Sequence, residues 1–559
     1  MGNIFGNCVG AVPRVHSLAG VGDGGGSPAS PPSSPTNASQ PATNPSEWFL
    51  SHDEITTSRG GVSRSDLSLY TTGDHVDAYA SSDAYFCQLL RDMDAGDVAS
   101  IWVMGWALNH TVPLDPTSPN ASDTTLQAIV ERAVRALVWV NLFQHKECLA
   151  ARDWMNELGA SSPKGSALML FDNRLPHHVS SHHQKGVVIR HTNGTFVAFV
   201  GGLDITADRW DTLAHDQARL REARGWRGDF DGWIDASVRL EGAAARDVAA
   251  TFAARWNSRV KPDNCWKQEL LDFENPTTYE PVPAPLPPVT NTEPTVTSAI
   301  SKVSVQIVRT FSPLRALKMY PEMAPSGELS LLQSRIKAIA LAKNWIFIQD
   351  QYFFFMPQLM EALRTALAKH LALRVVVVIQ SPNVTTQSKF AGYEKLVFLM
   401  AQPLLHDFPR QLQLYTTKSN RNLYIHAKLL MVDETFLSIS SANWNRRSMT
   451  SDSELGASIV DANLVDTPDG VHVGQSVREF QLKKLQELTG RGADEWRRLT
   501  IVQRCDALAQ SAIEAATILQ KLEIEDKWEF VLIADEFTLH VVDPDDVNHA
   551  EHAGSSDEE

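Results

Sequence analysis

A duplicated α/β fold, two α-β-α sandwich lobes with a site between them, is the class this chain predicts. Two runs of alternating strand and helix patterns follow the same order, and each run ends in a His-x-Lys tripeptide that opens an apolar stretch. The tripeptides, His183-Gln184-Lys185 and His426-Ala427-Lys428, also carry acids downstream at equal distance. Continuous apolar strands alternating with helices indicate sheets covered on both faces.

In the first run, strands are predicted at Ser100-Ile101-Trp102-Val103-Met104, Ala136-Leu137-Val138-Trp139-Val140 and Ala167-Leu168-Met169-Leu170-Phe171. Helix-period stretches separate them, near 126–136 and 148–158. In the second run the strands are Trp345-Ile346-Phe347-Ile348, Arg374 to Ile379 and Gln411-Leu412-Gln413-Leu414-Tyr415, with helices near 358–370 and 393–405. Trp106 and Tyr352 follow corresponding strands, so both could rim one cleft. These two, with Trp102 and the rest of Tyr352-Phe353-Phe354-Phe355, read first as core aromatics and second as lipid-binding ones.

The tripeptides carry the chemistry. On a strand, residues i and i+2 share a face, so each copy aims an imidazole and an ammonium at one point. A lysine neutralises phosphoryl oxygens, and an imidazole attacks phosphorus or moves a proton near neutral pH. One His-x-Lys is a weak signal, but two in matching surroundings are a strong one. A catalytic histidine also needs an acceptor at its second ring nitrogen. Asp211 lies 28 positions after His183 and Glu454 28 after His426, so they are the expected acceptors, each within its own lobe. His182 points to the opposite face and reads as structural. Gly201-Gly202 reads as a tight turn, and Asp204 as either a helix N-cap or a phosphate-site residue.

Ser181-His182-His183-Gln184-Lys185, Phe199-Val200-Gly201-Gly202-Leu203-Asp204, Arg209-Trp210-Asp211-Thr212, Tyr424-Ile425-His426-Ala427-Lys428 and the block from Ser441 to Met449 resemble phospholipase D, the H-x-K-x-x-x-x-D superfamily. The likeness runs in order from about Glu47 to Pro544 and looks nearest to the enzymes of oomycetes and related protists. It implies a phosphodiesterase in which His183 attacks phosphorus, His426 protonates the leaving alcohol, and water or a primary alcohol completes the exchange. Lys185, Lys428 and Asn443 would hold the phosphoryl oxygens, with Asp204, Trp106 and Tyr352 as substrate-binding residues. The family's first motif ends in Asp where this chain has Arg190. At an odd offset from Lys185, that side chain should lie away from the phosphate.

The resemblance divides the chain into a disordered segment at 1–46, lobes at 47–275 and 301–542, a proline-rich connector at 276–300 and an acidic tail at 543–559. No further lipid-binding or calcium-binding module is expected, so the chain reads as a minimal catalytic unit. A net charge of −16 counts against non-specific nucleic-acid binding and against purely electrostatic binding to anionic membranes. Local basic residues, Lys418, Arg421, Arg446 and Arg447, flank the motif-bearing stretch. No carboxylate cluster has metal-ligand spacing, so neither metal nor cofactor is expected. Five scattered cysteines fit a reducing, cytoplasmic setting. No run of eighteen apolar residues spans a membrane. Gly2 and Cys8 are candidate acylation sites for peripheral attachment to a phospholipid surface, and the protein is expected to act as a monomer. Two alternatives stand beside the phospholipase: a phosphatidyltransferase such as a cardiolipin or phosphatidylserine synthase, and a degenerate lipid-binding member.

Overall fold

Both runs of strands form mixed sheets built to one plan. The computed structural model describes residues 38–531 apart from 133–135, 142–145, 162–166, 173, 177–179, 227–228, 263–266, 269–272, 275–284, 291–294, 296–300 and 383–391. The first sheet has the order His75–Tyr79, Ser237–Glu241, Phe196–Gly201, Gly186–His191, Val98–Gly105, Ala136–Asn141, Ala167–Asp172. Its counterpart in the second sheet is Val303–Thr310, Glu454–Asp461, Phe436–Ser440, Lys428–Val432, Trp345–Asp350, Arg374–Ile379, Leu412–Thr417. The second sheet gains edge strands at Thr71–Thr72 and Leu519–Lys521. In each, the last three strands are mutually parallel, and the strand after the His-x-Lys tripeptide runs antiparallel to the first of these three. All six strands expected ahead of the motifs are present. The helices between them span Leu126–Arg132, Lys146–Ser161, Pro357–Lys369 and Tyr393–Asp407.

The two sheets share one core. A continuous apolar cluster takes Val188 and Val200 from the first sheet, Val305 and Phe347 from the second, and Ala245, Val248, Phe252 and Trp256 from the helix Ala243–Asn257. Small residues on that helix let it approach closely, which explains why it is buried along most of its length. Part of the expected connector is docked on this core instead of running free. Leu286 and Val289 are buried, and the Leu286 amide donates to Asn257 Oδ1 at 2.8 Å. The rest of the connector, the acylation candidates Gly2 and Cys8, and the acidic tail lie outside the described residues.

Each lobe lends backbone to the other's motif. Leu423–Ile425, leading into His426, pairs in parallel with Gly232–Ile234 of the first lobe. In the same way His182 bridges Ser453, and the His183 amide donates to the Ser453 carbonyl at 2.9 Å.

The second motif's Asp433 explains why Arg190 is admissible. Asp433 lies just past the strand Lys428–Val432, at φ 51°, and accepts from the amides of Lys343, Asn344 and Trp345. Trp345 begins the neighbouring strand, whereas Lys428 pairs with Asp350 at its other end. The acid therefore ties down the strand end remote from the lysine. In the first lobe the strand continues through Arg190, which pairs with Ser100 and Phe196 and so stands where the ladder itself, and not an acid, holds the strand end. Arg190→Asp should leave turnover within a few fold of wild type in a steady-state assay, and a large gain would mean that the position governs chemistry.

Candidate active site

His183 and His426 face one cavity of about 270 Å³ where the two lobes meet. The cavity wall includes Trp106, Trp233, Tyr352 and Tyr424, with Asn443, Arg209 and Arg447 among its polar members. Neither histidine sits within a regular strand, since His183 precedes Gly186–His191 and His426 precedes Lys428–Val432. Their positions are set by the crossed backbone pairing described above. His182 is buried on the other side, with Nδ1 2.9 Å from Ser453 Oγ, and burial pushes it down to about 4.

The pairing of acids with histidines crosses the lobes, which corrects the equal-spacing expectation. His183 Nδ1 lies 3.0 Å from Glu454 Oε1, and His426 Nδ1 lies 2.7 Å from Asp235 Oδ2. Asp235 was not anticipated. Asp211 instead accepts from the Trp233 amide at 2.7 Å and sits 2.6 Å from His215 Nδ1. The physical reason is the crossed pairing: the segment that grips each motif comes from the other lobe and ends in the acid. Ile234 accepts from the His426 amide and Asp235 follows, just as Ser453 accepts from the His183 amide and Glu454 follows. Counting forward from each histidine could not reveal this. A usable signal was the acid that opens, or just precedes, the strand after each hairpin: Asp235 before Ser237–Glu241, and Glu454 at the start of Glu454–Asp461.

Gly201-Gly202 is required by close approach and not by a turn, since neither residue has positive φ. A Cβ on Gly202 would stand 2.1 Å from Asp235 Oδ1, and one on Gly201 2.3 Å from Ser237 Oγ. Gly202→Ala should therefore push Asp235 off His426 and slow turnover about 100-fold, because misplacement near 1 Å costs that much. Initial rates alongside a thermal melt check this, and an unchanged rate would contradict it.

The lysines are buried beside the histidines and are not among the residues lining the cavity. Lys185 and Lys428 are almost fully buried, and each Nζ donates to the carbonyl of its own motif's histidine. Lys185 Nζ is 3.3 Å from Asp204 Oδ2. Asp204 Oδ1 accepts from the amides of Trp106 and Ala107, at 2.8 and 3.1 Å. Asp204 is thus neither a helix cap nor part of the cavity wall: it is held by Lys185 and the strand end that presents Trp106. Asp350 does the same work opposite, accepting from the Tyr352 and Trp444 amides beside Lys428. Trp106 and Tyr352 do rim the cavity, and Trp106 meets His183 edge-on with ring centroids 6.4 Å apart. Asn443 also lines it, with a buried Oδ1 that bonds nothing among the described residues. Of the basic residues near the second motif, Arg447 reaches the cavity and pairs with Asp452, while Lys418 donates to the Thr517 carbonyl and is not among the lining residues.

Burial sets the electrostatics. It holds both histidines well below their usual range, reinforced for His183 by Lys185 and Lys428 and for His426 by Lys428 and Arg209. Both imidazoles are therefore neutral. With Nδ1–H committed to a carboxylate, each presents its Nε2 lone pair. Burial also raises Glu454 to about 7 and Asp235 to about 6, and lowers Lys428 to about 7 against the pull of Asp235 and Asp350. A bell-shaped kcat/KM is expected. Activity should fall on the acid side as the two carboxylates take up protons and release Nδ1, and on the alkaline side as Lys428 loses its charge. A profile with a water-soluble short-chain substrate checks this, and a flat response from about pH 5 to 9 would contradict it.

A family model described as Phospholipase D matches residues 93–403, more than half of the chain. The chain belongs to the phospholipase D family. Phospholipase D alpha 4 of Arabidopsis thaliana is 22% identical over 498 residues, covering 70% of this chain and 61% of its own length. Phospholipase D1 of Saccharomyces cerevisiae is 24% identical over 396 residues, covering 56% of this chain and 22% of its own. The chain thus spans less than two thirds of the length of either relative. Among solved structures, the phosphatidylserine synthase of Haemophilus influenzae Rd KW20 is 13% identical with a TM-score of 0.47, over 86% of this chain and 93% of that one. Among the described residues no helix is long and apolar enough to cross a membrane.

Proposed function

We propose that this member of the phospholipase D family hydrolyses the head-group phosphodiester of phosphatidylcholine-like glycerophospholipids, giving phosphatidic acid and the free alcohol. The reading rests on one observation: two histidines from different lobes face one cavity, and each is fixed at Nδ1 by a carboxylate of the opposite lobe. Neutral His183 attacks phosphorus through Nε2 and forms a phosphohistidine as the bond to the head-group oxygen breaks. His426, protonated under the influence of the bound phosphodiester anion, donates its proton to that oxygen. His426 then takes a proton from water, which displaces phosphatidate from His183. A primary alcohol in place of water yields a new phosphatidyl ester. Lys185, Lys428 and Asn443 stabilise the charge on the non-bridging oxygens.

The cavity has room for a phosphodiester and a small head group, with the acyl chains left in the lipid surface that serves as partner. The aromatic side chains of the wall, Tyr352 and Tyr424 among them, suit a quaternary ammonium, while the Arg209 guanidinium already covers the Trp233 ring. Arg190 offers no support for a degenerate member, being absent from the cavity wall. The test is incubation with mixed phospholipid vesicles with and without ethanol, followed by mass spectrometry. Phosphatidic acid is expected without ethanol and phosphatidylethanol with it. Diacylglycerol as the product, or no lipid turnover, would overturn the reading.

A further inference from the structure

Four buried ionisable side chains lie behind Asp235, and the reaction outlined above uses none of them. Asp211 and His215 meet at 2.6 Å, His215 Nε2 lies 3.7 Å from Glu487 Oε1, and Glu487 Oε2 lies 2.5 Å from Lys484 Nζ, with every side chain at most 1% exposed. Glu487 and Lys484 come from the helix Gln475–Thr489, far along the chain from the loop between Arg209 and Ala218 that supplies Asp211 and His215. The two ends of this chain of charges grip one short stretch of backbone. Asp211 Oδ2 accepts from the Trp233 amide at 2.7 Å, and Lys484 Nζ donates to the Asp235 carbonyl at 3.3 Å and to the Ala80 carbonyl at 3.2 Å. Gly232 makes the grip possible, since a Cβ there would stand 2.4 Å from Asp211 Oδ2.

We propose that Lys484, Glu487, His215 and Asp211 are positioning residues that set the Asp235 carboxylate against His426 Nδ1. Burying four such groups is costly unless their geometry is fixed by one another. Here the fixed geometry is delivered to the three residues from Trp233 to Asp235. The opposite histidine is supported by a separate buried set: Gln184 Nε2 donates to the Glu454 carbonyl at 3.3 Å, and Gln184 Oε1 accepts from Arg255, which pairs with Asp172. The Glu454 carboxylate is steadied directly by the Ser441 hydroxyl, a neutral donor on the neighbouring strand end. The Lys484–Asp211 network ends on the backbone from Trp233 to Asp235, the partner of His426, and so serves proton transfer to the leaving group and not attack by His183.

This inference rests on the proposed role of His426 as the acid, and leaving-group chemistry separates the two. Full-length Lys484→Met and Glu487→Gln are compared with wild type on short-chain phosphatidylcholine and on the matching phosphatidyl-p-nitrophenol, whose leaving group departs as an anion without a proton. First-turnover release is followed by stopped flow. The variants should cleave phosphatidylcholine roughly tenfold or more slowly, the usual cost of losing an outer-shell partner, with the p-nitrophenolate burst within about threefold of wild type. That preserved burst also reports an intact fold. Equal losses on both substrates, or no loss on either, would overturn the positioning role. A wild type that turns over neither substrate would overturn the phospholipase reading itself.

Discussion

His183→Ala should abolish phosphatidic acid formation, a loss on the order of 10⁴-fold or more, because nucleophile and acid act as a unit. Among the other groups lining the cavity, Asn443 is a neutral amide, Arg209 and Arg447 are cations and Asp452 is paired with Arg447. His426→Ala should be as inactive on phosphatidylcholine, but for a different reason. On phosphatidyl-p-nitrophenol it should release one equivalent of p-nitrophenolate and then stall, since His183 still attacks but no base activates water. Stopped-flow measurement distinguishes the two. A burst from His183→Ala, or steady turnover by His426→Ala, would remove the assigned roles.

The crossed acids give the second large effect. Glu454→Gln should cost about 10⁴-fold on both substrates, since an amide facing Nδ1 favours the tautomer with the proton on Nε2 and silences the attacking lone pair. Asp235→Asn should cost comparably on phosphatidylcholine yet keep the p-nitrophenolate burst, because it disables the acid alone. Were the acids paired within their own lobes, Asp211→Asn would silence the attack and Asp235→Asn would do little. Asp211, which touches Trp233 and His215 and neither catalytic histidine, should instead show the milder, leaving-group-dependent loss of a positioning residue.

Local patterns revealed the strands, the histidines and lysines, and the aromatic pair Trp106 and Tyr352, because each depends on period or on place within its own lobe. Asp235, the close approach at Gly202 and the buried pairing of Asp204 with Lys185 were not legible in that way. All three are contacts between segments distant in sequence: Gly202 and Asp235 meet over a sheet end, and Asp235 reaches His426 only through the crossed strands Gly232–Ile234 and Leu423–Ile425. The 28-residue spacing was a coincidence of loop lengths, and Arg190 became interpretable only once Asp433 was seen tying down a strand end remote from Lys428.

The central claim is that His183 carries the phosphoryl group while His426 moves protons. Its most direct test is to stop His426→Ala in alkali after the p-nitrophenolate burst, conditions under which phosphohistidine survives, and to locate the phosphatidyl group by peptide mass spectrometry. The modification is expected on His183, at close to one per chain. A modification on any other residue, or a burst that leaves no covalent adduct, would contradict it.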